Sequence, residues 1–304
     1  VFHESYMVRG IVDAPYTRHF IGRLPYLYPM WQSIAWSLGA PLGIVGWGAA
    51  LASLGSLVPN LHHKRWKRVA ELLIPFSWVL VYLGLTGSFY AKFLRYMLPL
   101  FPFLNLWAAW ALWSLLANGS RRYALWRAVG AVMTVVVFVG TGLYAVAYLN
   151  IYRQEHPWIQ ATAWICANVP KDSHILVEHW DDPLPMLQGT GTLRCYGNYH
   201  VSQFEAYNPD DTDKLVDLLY DLQHSDYIVL SSNRLYNTIP HLPERYPLTS
   251  RYYQLLMGEK LGFQLVYDVA VYPSVLGVSL VDDTFSDPQL PKPALLAQQD
   301  AARP

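Results

Sequence analysis

The chain has 304 residues, enough for two ordinary domains, and is 53% hydrophobic and 15% aromatic with only 14% charged side chains. Its 22 basic and 22 acidic residues cancel to a formal net charge of zero, and no Lys/Arg-rich arm occurs, so nucleic acid is not an expected partner. The two cysteines, Cys166 and Cys195, are too far apart for a CxxC redox pair or a zinc knuckle; they either form one disulfide outside the cytoplasm or stay as buried thiols.

The opening stretch, 1–30, is a polar, tyrosine-rich loop that begins at Val1 without a signal peptide, and the expectation is a fragment of a longer polytopic protein. It gathers Tyr6, Tyr16, Arg18, Arg23, Tyr26 and Tyr28 around Pro15 and Pro25. Such a set either binds a sugar or a lipid phosphate, with Tyr16, Arg18, Arg23 and Tyr26 as the candidate substrate contacts, or forms an interfacial aromatic belt.

The region 31–150 holds four long apolar runs, at about 33–58, 72–88, 97–117 and 128–149. Each is long enough for a hydrocarbon core of roughly 30 Å at 1.5 Å per residue. Trp or Tyr stands near their ends, as suits side chains at the headgroup level. None carries the polar stripe that a helix of a soluble protein would need. Gly39 and Gly43 make a small-xxx-small pair for a closely approaching helix, or, with Pro41 between them, a kink.

Loop charge gives the direction. His62-His63-Lys64-Arg65-Trp66-Lys67-Arg68 and the group Arg121, Arg122 and Arg127 are basic and are expected on the cytoplasmic side. The opening segment, the short loop from Phe89 to Tyr96 and everything after Asn150 then lie outside, with the protein integral to a plasma or inner membrane. Asn118-Gly119-Ser120 matches a glycosylation sequon, but in a cytoplasmic loop it reads as an accidental match.

The region 151–284 has mixed polarity. Helices are expected at Trp158–Asn168, at Asp211–Leu222 with Asp210 or Asp211 as the cap, and at about Ser250–Leu261. Strands are expected at His174–Glu178, Leu193–Tyr196, Tyr227–Leu230, Phe263–Asp268 and Leu276–Leu280. The alternation implies a small three-layer α/β domain. Gly189-Thr190-Gly191 has no helix behind it and reads as a turn rather than a phosphate loop. The tail 285–304, rich in Pro, Ala and Gln, is expected to be disordered.

Two places concentrate chemistry. Lys92 and Arg95 stand on the outer side, where topology does not favour positive charge. Their i, i+3 spacing places them on one face of a helix end, with Tyr96 adding a hydroxyl and Pro99 and Pro102 breaking the helix. They either hold a phosphate or snorkel as anchors. Glu178-His179-Trp180-Asp181-Asp182-Pro183 follows a strand; Glu178, Asp181 and Asp182 are weak candidates for a divalent metal or an acid/base pair, or else solvated strand-end acids. No cofactor is otherwise expected.

The runs Asp13-Ala-Pro-Tyr-Thr-Arg, Leu24-Pro-Tyr-Leu-Tyr and Lys92-Phe-Leu-Arg-Tyr-Met-Leu-Pro-Leu-Phe-Pro resemble the C-terminal half of the family 39-like, GT-C-fold membrane glycosyltransferases. That group is similar to the protein O-mannosyltransferases and the aminoarabinose lipid A transferases. The resemblance continues through Glu178-His-Trp-Asp-Asp-Pro-Leu-Pro and Tyr246-Pro-Leu-Thr-Ser-Arg-Tyr-Tyr. It implies a polytopic helical bundle followed by an extracytoplasmic α/β domain. It also implies transfer of a sugar from a polyprenyl-phosphate donor in the membrane lipid to an acceptor on the outer face. A carboxylate on a first external loop outside this sequence would then be the base, and Asp13 is not assigned that role. Lys92 and Arg95, supported by Tyr96, would contact the donor phosphate. The rival expectations are a transporter or flippase of lipid-linked sugars, marked by charges within the spans, and an extracytoplasmic binding module tethered by the four helices.

Overall fold

The computed structural model describes residues 2–11, 15–117, 124–188, 191–281, 285–286 and 288–302. The chain divides into two compact units, one of residues 1–14 and 20–147 and the other of residues 15–19 and 148–304.

The first unit is helical. After short helices α1 (Phe2–Val8) and α2 (Leu27–Gln32) come α3 (Ala40–His62), α4 (Trp66–Thr86), α5 (Phe101–Leu116) and α6 (Ala124–Ile151). A 3-10 turn over Leu94–Leu100 runs directly into α5. Among the described residues, four helices are therefore long and apolar enough to cross a membrane: Ala40–His62, Trp66–Thr86, Leu94–Leu116 and Ala124–Ile151. Their packed seam joins Trp47 and Ala50 of α3 to Phe76 and Val79 of α4, and to Leu104 and Trp107 of α5, with Phe76 and Trp107 at a ring separation of 4.5 Å. Outward positions are apolar as well: Ile74, Val81 and Phe138 are 73–74% exposed. Side chains of that kind suit hydrocarbon as a solvent and not water. The chain is an integral membrane protein by this measure.

The first span differs from its expected limits. Gly39 has φ of 77°, a conformation that costs glycine no steric penalty, and it separates α3 from the irregular turn over Ser33–Ser37. Pro41 then sits in the first turn, where its missing N–H has no helical partner to lose, so it starts the helix and does not kink it. Gly43 serves close approach within the same segment, since a β-carbon there would lie 2.7 Å from the Ile34 Cα. The neighbouring helix comes near at Gly46, where a β-carbon would lie 3.2 Å from the Leu104 carbonyl. Pro59 does not end α3; it falls in the last turns and its carbonyl accepts from the His63 N–H at 2.9 Å. The sequon and the arginines at 121 and 122 lie outside the described residues.

The second unit is α/β. Strands β1 (His174–Glu178), β2 (His200–Phe204) and β3 (Tyr227–Val229) form a parallel sheet in the order β2-β1-β3, with Val177 opposite both Gln203 and Val229. Helix α7 (Pro157–Asn168) covers one face by packing Ile165 on Ile175 and Val177. Helices α8 (Thr212–His224) and α9 (Pro247–Met257) cover the other, with Leu218, Tyr252, Tyr253 and Met257 gathered around Leu176 and Phe204. Alternation along β1 thus produces three layers. Asp211 caps α8, its Oδ1 accepting from the Lys214 N–H at 2.9 Å.

Four expectations are corrected here. Leu193–Tyr196 is not a strand but lies across 3-10 turns at Gly191–Leu193 and Tyr196–Asn198, and the second sheet strand is His200–Phe204. Phe263–Asp268 is unpaired, although its burial alternates as in a strand. Leu276–Leu280 splits into the small antiparallel pair β4 (Ser274–Val275) and β5 (Val278–Ser279). The tail holds a helix, α10 (Ala294–Ala302). Cys166 of α7 is disulfide-bonded to Cys195, with Cα atoms 5.7 Å apart.

Candidate functional site

The cationic loop is built by the first unit alone. The Tyr90 and Ala91 N–H groups donate to the Val8 carbonyl at 2.9 and 3.2 Å, so the end of α1 holds the 89–91 strap in place. Tyr26 adopts φ of 60°, donates its N–H to the Gly87 carbonyl at 3.0 Å and its hydroxyl to the Gly84 carbonyl at 3.2 Å. Any β-carbon at Gly87 would collide with the Tyr26 ring. The opening loop and the loop after α4 are therefore knitted through backbone groups.

Lys92 and Arg95 do not share a helical face. Phe93 is extended (ψ 136°) and the 3-10 turn begins only at Leu94, so Lys92 precedes the turn and Arg95 lies within it. Lys92 is 7% exposed; its Nζ donates to the Tyr90 carbonyl at 3.1 Å and lies 6.0 Å from the Tyr90 ring centre. Burial lowers its pKa. An ammonium has three protons to donate, and among the described residues no carboxylate pairs with this one. Arg95 is exposed, its guanidinium 4.3 Å from the Phe93 ring centre and 5.4 Å from that of Tyr96. Phe93 is braced in turn by Phe20 (5.0 Å, 88°) and Tyr96 (5.9 Å, 79°). Rings orient this arginine while leaving its N–H fork unpaired with any acid among the described residues.

The four opening-loop candidates do not form one group. Arg23 and Tyr26 belong to the first unit, whereas 16 and 18 belong to the second. The Arg23 guanidinium lies 5.6 Å from the Tyr28 ring centre, Arg18 is half-buried, and the side chain of Tyr16 lies outside the described residues, as does Asp13.

In the second unit, Glu178 ends the central strand and is 6% exposed. The Tyr253 hydroxyl donates to its Oε1 at 2.6 Å. Burial lifts its pKa to about 8; the Tyr253 bond opposes that rise and the nearby Asp181 adds to it. Burial thus favours the neutral carboxyl. His179, half-buried, accepts the Ala206 N–H at Nδ1 (3.0 Å), and burial, the largest influence on it, lowers its pKa. Asp181 receives the Ser232 hydroxyl and an Arg234 N–H (3.1 Å), while the Asp182 carbonyl accepts from the Ser231 hydroxyl at 3.0 Å. Tyr207 lies against His179 (5.6 Å) and Trp180 (5.4 Å), and burial raises its pKa to about 12. Glu178, Asp181 and Asp182 do not assemble a metal centre: among the described residues no group of three or more His, Cys, Asp or Glu has the arrangement to hold an ion. Tyr253, Tyr207, Ser232 and Arg234 escaped the sequence reading because each lies dozens of residues from the acid loop it meets; only the Tyr-Tyr pair at 252–253, within a motif already noted, offered a signal.

A second polar cluster is structural. Lys214 Nζ donates to the carbonyls of Ala206 (2.9 Å) and Asn208 (2.7 Å) and to Asp210 Oδ1 (2.7 Å), and Asp210 also receives the Thr249 hydroxyl (2.6 Å) and N–H (2.9 Å). Burial acts to raise the Asp210 pKa, but the bonds from Lys214 and Thr249 outweigh it and hold the carboxyl below its usual range.

No family model, curated protein or solved structure matches this chain, and none identifies the glycosyltransferase family that its motifs resemble.

Proposed function

We propose that this chain is the C-terminal part of a membrane glycosyltransferase that moves a sugar from a polyprenyl-phosphate donor to an acceptor on the outer face. The observation that carries this reading is the pair of cations in the loop before α5: Lys92, buried without a carboxylate partner among the described residues, and Arg95, held on two rings with no acid among those residues on its fork. A buried, unmatched ammonium is costly to keep, and a lipid-linked phosphate at the interface would supply the missing charge. No catalytic base is assigned among these residues, and the acceptor and sugar are not assigned. The Cys166–Cys195 disulfide supports a non-cytoplasmic second unit, since such bonds persist in oxidising compartments.

The test is the affinity of the detergent-solubilised protein for a short-chain polyprenyl phosphate, with transfer rate as a second readout in the complete enzyme. Arg95→Ala is expected to weaken both by roughly tenfold to a hundredfold, from about 1.5–3 kcal/mol for a hydrogen bond to a charged group, with Arg95→Lys recovering part of the loss. Lys92→Met is expected to weaken binding while leaving the fold as stable or more so, because it removes an unpaired buried charge. Equal affinities across wild type and all three variants would end the phosphate role and leave the cations as anchors.

A further inference from the structure

The second unit has a strand-end surface that the transferase reading does not use. In a parallel sheet, ligands bind outside the carboxyl ends of the strands, where successive connections leave in opposite directions. Here β1 has β2 on one side and β3 on the other, so that place lies beyond Glu178. The segments that follow the three strands meet there through His179 N–H to the Phe204 carbonyl (3.1 Å) and through the bonds from Ser231 and Ser232 to the 181–182 turn.

Trp180 holds φ of 95°, a conformation that side-chain-bearing residues rarely adopt, yet the residue is 48% exposed with its ring beside Tyr207. Strain that presents a large ring to solvent instead of burying it is a mark of binding sites. Around the ring stand groups of both hydrogen-bonding kinds. His179, with Nδ1 accepting from Ala206, carries its proton on Nε2 as a donor. The Arg234 side chain is 63% exposed and is aimed by one bond to Asp181. Asp181 is an acceptor.

Charge decides among ligand classes. Among the described residues of the segments that follow the strands, Asp181, Asp182 and Glu205 face one cation, Arg234, which is already paired with Asp181; burial favours the neutral form of Glu178, and Lys214 is held on Asp210. That balance disfavours phosphates and other anions. No metal-holding group is present among the described residues. What remains is a neutral molecule with an apolar face for the ring and hydroxyls for both donors and acceptors.

We propose that this strand-end surface binds a neutral pyranose ring of a carbohydrate, stacked on Trp180 and hydrogen-bonded by His179, Asp181 and Arg234. The inference does not rest on the transferase reading. The full-length chain in detergent would be titrated with the methyl pyranosides of mannose, glucose and galactose, and with glucuronate and inorganic phosphate as anionic arms, followed by saturation-transfer NMR. At least one neutral pyranoside should bind in the millimolar range. Trp180→Ala and Arg234→Ala should each weaken it by tenfold or more, Trp180→Phe should restore much of the affinity, and Arg95→Ala should not change it. Both altered side chains are largely exposed, so unchanged thermal unfolding is expected to show that the fold is kept. Absence of binding to all three glycosides, equal binding by Trp180→Ala, preference for either anion, or loss of binding in Arg95→Ala would each overturn the proposal. Failure here leaves the polyprenyl-phosphate measurements untouched, and the reverse holds as well.

Discussion

The two units use burial in opposite ways. In the membrane-spanning unit many Val, Ile, Leu, Phe and Trp residues stand exposed, and α6 buries only Gly130, Val137 and Ala147 along its length. In the α/β unit the large apolar groups turn inward around Leu176 and Ile175, and the interior also admits Glu178, Asp210 and Lys214. Where the surroundings are hydrocarbon, a helix needs no inward core to hide its side chains and needs only to satisfy its backbone. Where the surroundings are water, the interior is assembled by tertiary contacts, and polar groups can be buried if partners meet them.

The sharpest break in that comparison should come at Lys214. Its ion pair with Asp210 is deeply buried, at 6% and 2% side-chain exposure. Lys214→Ala strands the carboxylate without its cation and is expected to cost about 3–5 kcal/mol, read as a loss of thermal stability of the α/β unit at neutral pH. A change near zero would mean that the pair is solvated. Glu178 comes next. Its folded-state pKa of about 8 lies above the ordinary 4.5, so between those values the unfolded chain releases a proton that the folded one keeps. Stability therefore falls as pH rises through that window, by up to roughly 1.4 kcal/mol per pH unit. Tyr253, Asp181, Tyr207 and Tyr252 are the titratable groups around it. Glu178→Gln should flatten the profile between pH 5 and 8; an unchanged slope would place the proton elsewhere. The smallest effect is expected at Val135, which is 60% exposed on α6. Val135→Ala should alter stability by less than about 0.5 kcal/mol, and a larger loss would reveal a packed neighbour.

Legibility followed the same divide. The spans could be read because length and apolar content decide them locally, with departures at their ends, as where Gly39 delays α3 and where α4 begins at Trp66 and not at Leu72. Strand β1 and helix α8 were legible for the same reason, an apolar run and an Asp cap. Strand β2 was not: His200, Ser202 and Gln203 hide it, and its partner supplies the ladder. Lys92 and Arg95 were legible as two cations in the short loop before α5, but the helical face expected for them depended on Phe93, whose extended backbone removes it. Glu178 was visible as an acid at a strand end; its burial against Tyr253, 75 residues away, was not.

Side-specific labelling tests the central claim, a membrane-spanning unit whose basic connection and α/β unit lie on opposite sides. Because both native cysteines are held in the disulfide, His63→Cys and Asn208→Cys would each introduce the one free thiol, at an exposed position. With a membrane-impermeant maleimide on intact cells, Asn208→Cys should label at once and His63→Cys only after permeabilisation. Labelling of both, or of neither, before permeabilisation would contradict the account.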